Sequence, residues 1–146
     1  MRIVNIEDYF IPDAGYQINI LPKYLSKMGH EVFILTSIPN GIDRPSANFL
    51  GIDNLAQRDE MYSAQTGVTI IRVKPAIKYQ ISNRIVFGRQ LFNTLKKLNP
   101  DVLFVHGNDT LTGIRILIKR THKYAVVADS HMLPMASNNR FNRIFY

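Results

Sequence analysis

The chain has 146 residues, a length that suits one domain with a substantial hydrophobic core. Apolar residues make up 46% of it, a share typical of globular proteins that excludes a chain disordered throughout. It has no cysteine, which excludes disulfides and thiolate chemistry and suits a reducing cytoplasm. The first residues lack a leader pattern, and no apolar run nears the roughly twenty residues of a membrane-spanning helix. We therefore expect a cytoplasmic protein.

Charge is distributed unevenly along the chain. Residues 1–60 carry 5 basic and 8 acidic side chains, net −3, whereas residues 61–146 carry 13 basic and 3 acidic ones, net +10. Seven Lys and Arg residues and no acid fall between Gly67 and Pro100. Such a region favours an anionic partner, either a phosphate, an acidic lipid or nucleic acid, although a solvated helix face explains it equally well. Nucleic acid is the least favoured, because no recognition helix or stacking-aromatic pattern accompanies the charge.

The first 37 residues predict a strand, a turn, a helix and a second strand. The strands are the apolar runs Arg2–Ile6 and Val32–Leu35. Between them, apolar residues recur at helical spacing at Ile18, Leu21, Leu25 and Met28. Gly29 can end this helix, since only glycine enters the left-handed region without steric cost. Pro22 lies inside the pattern and predicts a kink or an irregular first turn, because proline in a regular helix interior costs roughly 3 kcal/mol.

The next segment is the least regular part of the sequence. Ile38–Gln65 shows no clear period and predicts a long connection. It has room for one short helix, near Ala47–Leu50 or Asn54–Arg58. Gly67 then opens a new unit, with a buried strand over Val68–Val73.

The rest of the chain predicts two helices and two strands, with another helix entered from Ala136 onward. Ser82 or Asn83 would cap the first helix, whose apolar face would hold Phe87, Leu91, Leu95 and Leu98. Two apolar runs predict buried strands, over Asp101–His106 and Tyr124–Ala128. The helix between these strands would present a core stripe of Leu111, Ile114, Leu117 and Ile118.

This alternation indicates an α/β fold over residues 1–146, with a Rossmann-like parallel sheet and helices on both faces. Ligands of such sheets bind outside the carboxyl ends of the strands. Three loops lie there, and each holds candidate functional residues. They are the turn around Gly15, the segment from His106 to Asp109, and the segment from Asp129 to His131.

Each loop has a functional and a structural interpretation. Gly15 would let backbone amides approach an anion at a helix amino end, although a glycine needed only for the turn is the commoner case. One glycine is not the dinucleotide pattern, so NAD and FAD are not supported. His106 could bind a hydroxyl or a phosphate, or cap the next helix. Asp129, Ser130 and His131 are adjacent and do not predict a hydrolase triad. No spacing of His and Asp requires a metal.

The chain also resembles a known family. The opening strand, the loop with a late glycine, the helix and then Gly29-His30-Glu31-Val32 resemble the start of the family 4 glycosyltransferases, which are retaining sugar transferases of the GT-B fold. Pro100-Asp101-Val102 and the segment from Gly67 to Val73 are similar to later parts of that family.

The resemblance implies roles for individual residues. His131 matches a cleft histidine beside the donor sugar and is the implied catalytic residue. Gly15 matches the second of two loop glycines and His106 the second of two histidines, which implies contacts to the donor diphosphate. Ala14 stands in place of the first glycine, and Phe104 stands in place of the first histidine. The implied acceptor-side residues are Tyr16, Gln17, Asn108 and Asp109.

The family works with two Rossmann-like domains and needs no cofactor, since the nucleotide-sugar donor is a substrate. The resemblance therefore implies an amino-terminal acceptor-side domain, inactive without a carboxyl-terminal donor-binding domain that these residues do not include. The implied reaction transfers a sugar, with retention, to a glycan or a lipid-linked acceptor. The enzyme would be cytoplasmic, with its basic face against an acidic membrane surface at the inner side. The alternatives are a non-catalytic α/β binding module, such as a response-regulator-like domain, and a GT-B nucleotide-sugar epimerase.

Overall fold

The computed structural model describes residues 1–39, 54–77, 85–108, 110–118 and 123–129. This part of the chain forms five strands and four helices. In chain order they are β1 (Arg2–Glu7), α1 (Gln17–Lys27), β2 (Glu31–Ser37), α2 (Leu55–Thr66), β3 (Thr69–Val73), α3 (Arg89–Leu98), β4 (Val102–Val105), α4 (Leu111–Ile118) and β5 (Ala125–Ala128).

All five strands pair in parallel in one sheet, in the order β3-β2-β1-β4-β5. β1 lies at the centre and is hydrogen-bonded on both sides. The chain winds outward from β1 in one direction through β2 and β3, and in the other through β4 and β5. This is the Rossmann-like arrangement that the sequence predicts. The winding direction changes between β1 and β4, at what is called the topological switch point.

Side-chain alternation along the strands gives the sheet two apolar faces, each covered by helices. One face packs on α3 and α4, and its core holds Val4, Ile6, Leu35, Leu91, Leu95, Leu103, Val105 and Ile116. The other packs on α1 and α2, and its core holds Phe10, Ile18, Val32, Ile34, Tyr62 and Val68. The prediction of helices on both faces is therefore confirmed.

α1 is continuous from Gln17 to Lys27, with Pro22 on its buried side. The proline therefore does not break the helix, which the sequence left open. Gly29 has a φ of +83°, and the chain leaves α1 in the left-handed conformation expected at that position.

α2 was not foreseen at its observed length. The sequence predicts a long connection with at most a short helix, whereas the helix spans 12 residues. Of its side chains only Leu55 and Tyr62 are buried, so the apolar period is too sparse to detect. Gly67 ends this helix with a φ of +73°, and does not open the next unit as expected. The alternative helix near Ala47–Leu50 lies outside the described residues.

α3 begins later than the sequence predicts. Gly88 precedes its first turn, and Phe87 lies outside the helix, buried and bridged to Pro75 in antiparallel fashion. The prediction that Phe87 lies on a helix was therefore wrong. Leu91 and Leu95 are buried as expected. The predicted caps, Ser82 and Asn83, lie outside the described residues.

The side of α4 predicted to face the core was also wrong. Thr112, Gly113 and Ile116 are buried, whereas Leu117 and Ile118 are exposed. Five of the eight residues of α4 have apolar side chains and these are not confined to one side, so the sequence does not determine which side faces the sheet. A close approach determines it, since a Cβ on Gly113 would lie 2.5 Å from the carbonyl oxygen of Gly107.

The two last strands differ in burial. Leu103 and Val105 of β4 are fully buried, as predicted for a central strand. β5 is at the edge of the described sheet and is largely exposed, so the prediction of a buried strand there was wrong. The helix predicted from Ala136 onward lies outside the described residues. Among the described helices, none has the length and apolar character needed to cross a membrane.

Candidate functional site

The carboxyl ends of β1, β4 and β5 bring together four polar side chains that are distant in sequence. Glu7 ends β1, His106 follows β4, and Asp129 follows β5. Asn5 projects from β1 beside His106. Their meeting point is the switch point between β1 and β4, where open parallel sheets bind ligands. We call these four residues the switch-point cluster.

His106 is buried within the cluster, with 2% of its surface exposed. Its ring stacks on Phe104, with 4.5 Å between centroids. Nε2 lies 3.3 Å from Asn5 Oδ1, and Nδ1 lies 3.0 Å from Asp129 Oδ2. Both ring nitrogens therefore face protein groups, and the ring is held on three sides.

The hydrogen-bond partners determine where the protons of this network lie. Asn5 Nδ2 donates to the Phe33 carbonyl at 3.2 Å, so Asn5 Oδ1 is the atom facing His106. An amide oxygen only accepts, and His106 Nε2 must therefore carry a hydrogen. On the other side of the ring, His106 Nδ1 and Asp129 Oδ2 lie 3.0 Å apart, the separation of an ion pair when the imidazole is protonated.

Asp129 also fixes the turn after β4. Its Oδ1 accepts from the Gly107 amide at 3.0 Å, and its carbonyl accepts from the Asn108 amide at 2.9 Å. The Thr110 amide donates to the Gly107 carbonyl. Since these amides are satisfied within the protein, the turn does not offer them to an anion.

Glu7 is a titratable group of the cluster whose ionisation is strongly perturbed. Burial raises the pKa of its carboxyl to about 8, and the neighbouring Asp8 and, more weakly, Asp129 add to that rise. Backbone amides of Tyr9 and Asp8 act in the opposite direction. The Asp8 amide donates to Glu7 Oε1 at 3.0 Å. A carboxyl with such a pKa can accept or donate a proton near neutral pH, which suits acid–base work in a cleft.

Asp8, next to Glu7, has a structural role, because it joins neighbouring segments by hydrogen bonds. It is buried, and its Oδ2 accepts from the Ile85 amide at 3.0 Å. Its carbonyl accepts from the hydroxyls of Thr36 and Ser37 at the end of β2. Asp8 thereby ties the exit of β1 to two other segments and fixes the position of Glu7.

The loop between β1 and α1 also lies at the carboxyl end of the strands. The buried Asn19 anchors it by donating to the carbonyls of Ile11 and Pro12, and it also accepts from the Tyr16 amide at 3.0 Å. Gly15 has a φ of +75°, and a Cβ there would meet no atom within 4 Å. The backbone at Gly15 is thus open to solvent beside the amino end of α1, where the helix dipole favours an anion.

The predicted site residues fall into three groups. Gly15, Tyr16 and Gln17 lie together on the exposed loop and first turn of α1. His106 and Asn108 belong to the turn after β4, where His106 reaches only protein groups with its ring nitrogens. Asp109 and His131 lie outside the described residues, and their predicted roles stay predictions. Within the described segments, no group of three or more His, Asp or Glu is arranged to hold a metal ion.

Neither Asn5 nor Glu7 is among the candidate site residues predicted from the sequence. A polar residue inside the apolar run of β1 is the signal for Asn5, since such a residue needs a buried partner. For Glu7 the signal is an acid at the carboxyl end of the first strand. Neither signal specifies the partner, because His106 and Asp129 are about a hundred residues or more away in sequence.

At least one cation of the basic region between Gly67 and Pro100 is bound inside the fold. Arg72 donates from Nε and Nη2 to the Asp59 carboxylate and from its two terminal nitrogens to the carbonyls of Ser37 and Phe10. Only 14% of its side chain is exposed. Arg72 therefore joins β3, α2, β2 and the β1–α1 loop, and is not presented to an anionic partner.

Fold and site together define a doubly wound α/β domain with a cluster of polar side chains at its switch point. Neither the known family models nor the curated proteins include a match to this chain.

Proposed function

We propose that this chain is the amino-terminal, acceptor-side domain of a retaining glycosyltransferase that uses a nucleotide-diphosphate sugar. The observation that carries the proposal is the juxtaposition at the switch point. The open Gly15 backbone at the amino end of α1 and the perturbed Glu7 carboxyl share one edge of a parallel sheet. The Gly15 backbone at a helix amino end suits a diphosphate, and the Glu7 carboxyl suits proton exchange with a sugar hydroxyl.

The sequence resemblance supports the same function from different residues. It implies His131 as the group beside the donor sugar and Tyr16 and Gln17 on the acceptor side. Tyr16 and Gln17 are exposed where the β1–α1 loop enters α1, which leaves both accessible to an acceptor. The donor-binding half would come from a second domain, so the chain by itself is expected to be inactive. The enzyme would act in the cytoplasm at the inner membrane face.

The strand order argues against the response-regulator-like alternative. Receiver domains have the order 2-1-3-4-5, whereas this sheet has the order 3-2-1-4-5. The sugar epimerase alternative is compatible with the sheet, and the assay below distinguishes it from a transferase.

The test compares this chain with the complete product of its gene, using a panel of nucleotide sugars and following nucleoside diphosphate release. We expect release only from the complete product, only with an acceptor, and with retained anomeric configuration by NMR. Transfer by the isolated chain would contradict the need for a second domain. A change in the sugar of the donor without any acceptor would indicate an epimerase.

Within an active complete product, His131→Ala should lower the rate by about 10²–10³-fold, the typical effect of removing one charge-stabilising donor. His30→Ala is the matched control, because His30 lies just before β2, at the amino end of the strands and away from the switch-point cluster. An unchanged rate for His131→Ala would remove that residue from the mechanism.

A further inference from the structure

The outward side of α1 is apolar where a surface helix is normally polar. Tyr16, Ile20, Tyr24 and Met28 follow one another at intervals of four residues. They are 70%, 49%, 57% and 71% exposed. Ile20 and Tyr24 lie within α1, and Tyr16 and Met28 are its N-cap and C-cap residues. Residues four apart are neighbours on a helix surface, so the four follow one another over about 18 Å at 1.5 Å per residue. We call these four residues the α1 stripe.

The charges beside the α1 stripe all have one sign. Lys23 and Lys27 each follow a stripe residue by three positions, and Lys27 Nζ lies 5.7 Å from the centroid of the Tyr24 ring. α1 contains no Asp or Glu. The nearest acids in sequence have partners, since Asp13 pairs with Arg58 and Glu31 with Arg2.

The helix packed beside α1 does not bury the stripe. The Tyr62 hydroxyl of α2 donates to the Asn19 carbonyl of α1 at 2.7 Å, which joins the two helices through the inner side of α1. The α1 stripe with Lys23 and Lys27 beside it differs from the scattered exposed apolar residues of ordinary protein surfaces.

We propose that the α1 stripe is the surface by which this domain lies on an acidic lipid bilayer. Tyrosine and aliphatic side chains suit the headgroup boundary, and lysines beside them suit anionic headgroups. The charge complementarity favours this occupant, because both charged side chains of α1 are lysines and acidic headgroups are anions. Each lysine near such a surface contributes in the same direction as the overall charge of +7.

The stripe also begins at the functional site. Tyr16 directly follows Gly15 and is itself a candidate acceptor-side residue. A lipid-linked acceptor would keep its chain in the bilayer along α1 while its polar head reached the switch point. This assignment of the acceptor class rests on the proposed function, whereas the membrane contact does not.

Vesicle sedimentation tests the proposal with the chain alone. We expect binding to vesicles of equal parts phosphatidylglycerol and phosphatidylcholine, and little binding to phosphatidylcholine alone. Binding should weaken in 1 M salt, where the Debye length falls to about 3 Å. Equal binding to both kinds of vesicle, or no effect of salt, would overturn the electrostatic part of the proposal.

The combined variant Ile20→Gln with Tyr24→Gln should lower vesicle partitioning by about tenfold or more. Lys23→Gln with Lys27→Gln should reduce the preference for acidic vesicles. The matched control is Ile118→Gln, which changes a side chain 73% exposed on α4 at the other face of the sheet. It should bind as the unaltered chain does. Thermal unfolding would verify that each variant is folded.

Two results would overturn the proposal. One is equal loss of binding in Ile118→Gln and in the stripe variant. The other is a dimer, detected by light scattering, that the stripe variant abolishes while vesicle binding stays unchanged, because the occupant would then be a second copy of the chain. Neither assay needs a sugar donor, so a failure of sugar transfer leaves the result on membrane binding intact.

Discussion

Glu7 links the candidate site to the stability of the fold. Its pKa is about 8 in the folded protein, against an ordinary value of 4.5. A carboxyl with a raised pKa contributes stability that is fully present below pH 4.5 and is lost as pH rises through 8. Because the ionised form is the disfavoured one, the folded protein holds a proton that the unfolded chain releases.

Glu7→Gln should remove this pH dependence. Glutamine resembles the protonated acid, so the variant should match the wild-type chain at low pH and exceed it in free energy of unfolding above pH 8. We expect a gain of about 2 kcal/mol there, allowing for partial exposure, since one pKa unit corresponds to about 1.4 kcal/mol. Urea unfolding across this pH range measures it. Glu60→Gln on the exposed side of α2 is the control, and an equal gain in both variants would contradict the account.

The pair of His106 and Asp129 gives a prediction that can be read from individual atoms. If the proton lies on His106 Nδ1, ¹⁵N NMR will show both ring nitrogens as protonated at neutral pH. Asp129→Asn should leave only Nε2 protonated, because Asn5 still requires a donor there. Assignment by His106→Gln identifies the signals, and His30 supplies reference signals in the same spectrum.

The outcome that would contradict this hydrogen-bond network is a neutral ring with its hydrogen on Nδ1. A neutral ring with its hydrogen on Nε2 would keep the contact to Asn5 and show that His106 and Asp129 do not form an ion pair. Asn5→Leu discriminates further, since it removes the amide oxygen that faces Nε2 at 3.3 Å and should change the Nε2 signal. The loss of a buried partner should also cost about 1–3 kcal/mol.

At the scale of elements, α4 is positioned by close packing at its first turn. Thr110 caps it, with its hydroxyl donating to the Gly107 carbonyl at 2.9 Å and accepting from the Gly113 amide at 2.9 Å. The absence of a side chain at Gly113 lets the helix approach the turn that carries His106. The packing of α4 and the geometry of the site are therefore connected.

Gly113→Ala should separate α4 from this turn. The new Cβ would lie 2.5 Å from the Gly107 carbonyl oxygen and 3.0 Å from Thr110 Oγ1, and one of these is backbone. We expect a loss of about 1–3 kcal/mol, the usual cost of overpacking, in spite of the better helix propensity of alanine. Leu117→Ala on the exposed side of α4 should change the free energy of unfolding by about 0.5 kcal/mol or less. Similar losses for both would show that the close approach is unimportant.

For the whole molecule, the sequence predicted the parallel sheet and the end of its strands at which the candidate residues lie. Strand–helix alternation and apolar runs are local signals, and parallel strands necessarily end on the same side of the sheet. The rotation of α4 and the length of α2 were not predictable, because the apolar side chains of α4 are not confined to one side and α2 has few buried positions. The partners of His106 were not predictable either, since Asn5 and Asp129 come from strands on both sides of it.

The sheet order predicts a gradient of stability across the molecule. β1 is hydrogen-bonded on both sides and its central residues are buried on both faces, whereas β5 is an exposed edge strand of the described sheet. Local opening is easiest where few buried contacts are lost. Hydrogen exchange should therefore be slowest in β1 and its neighbours β2 and β4, and fastest among the strands in β5. Equal protection of β5 and β1 would contradict this order, and would mean that the edge at β5 is covered in solution.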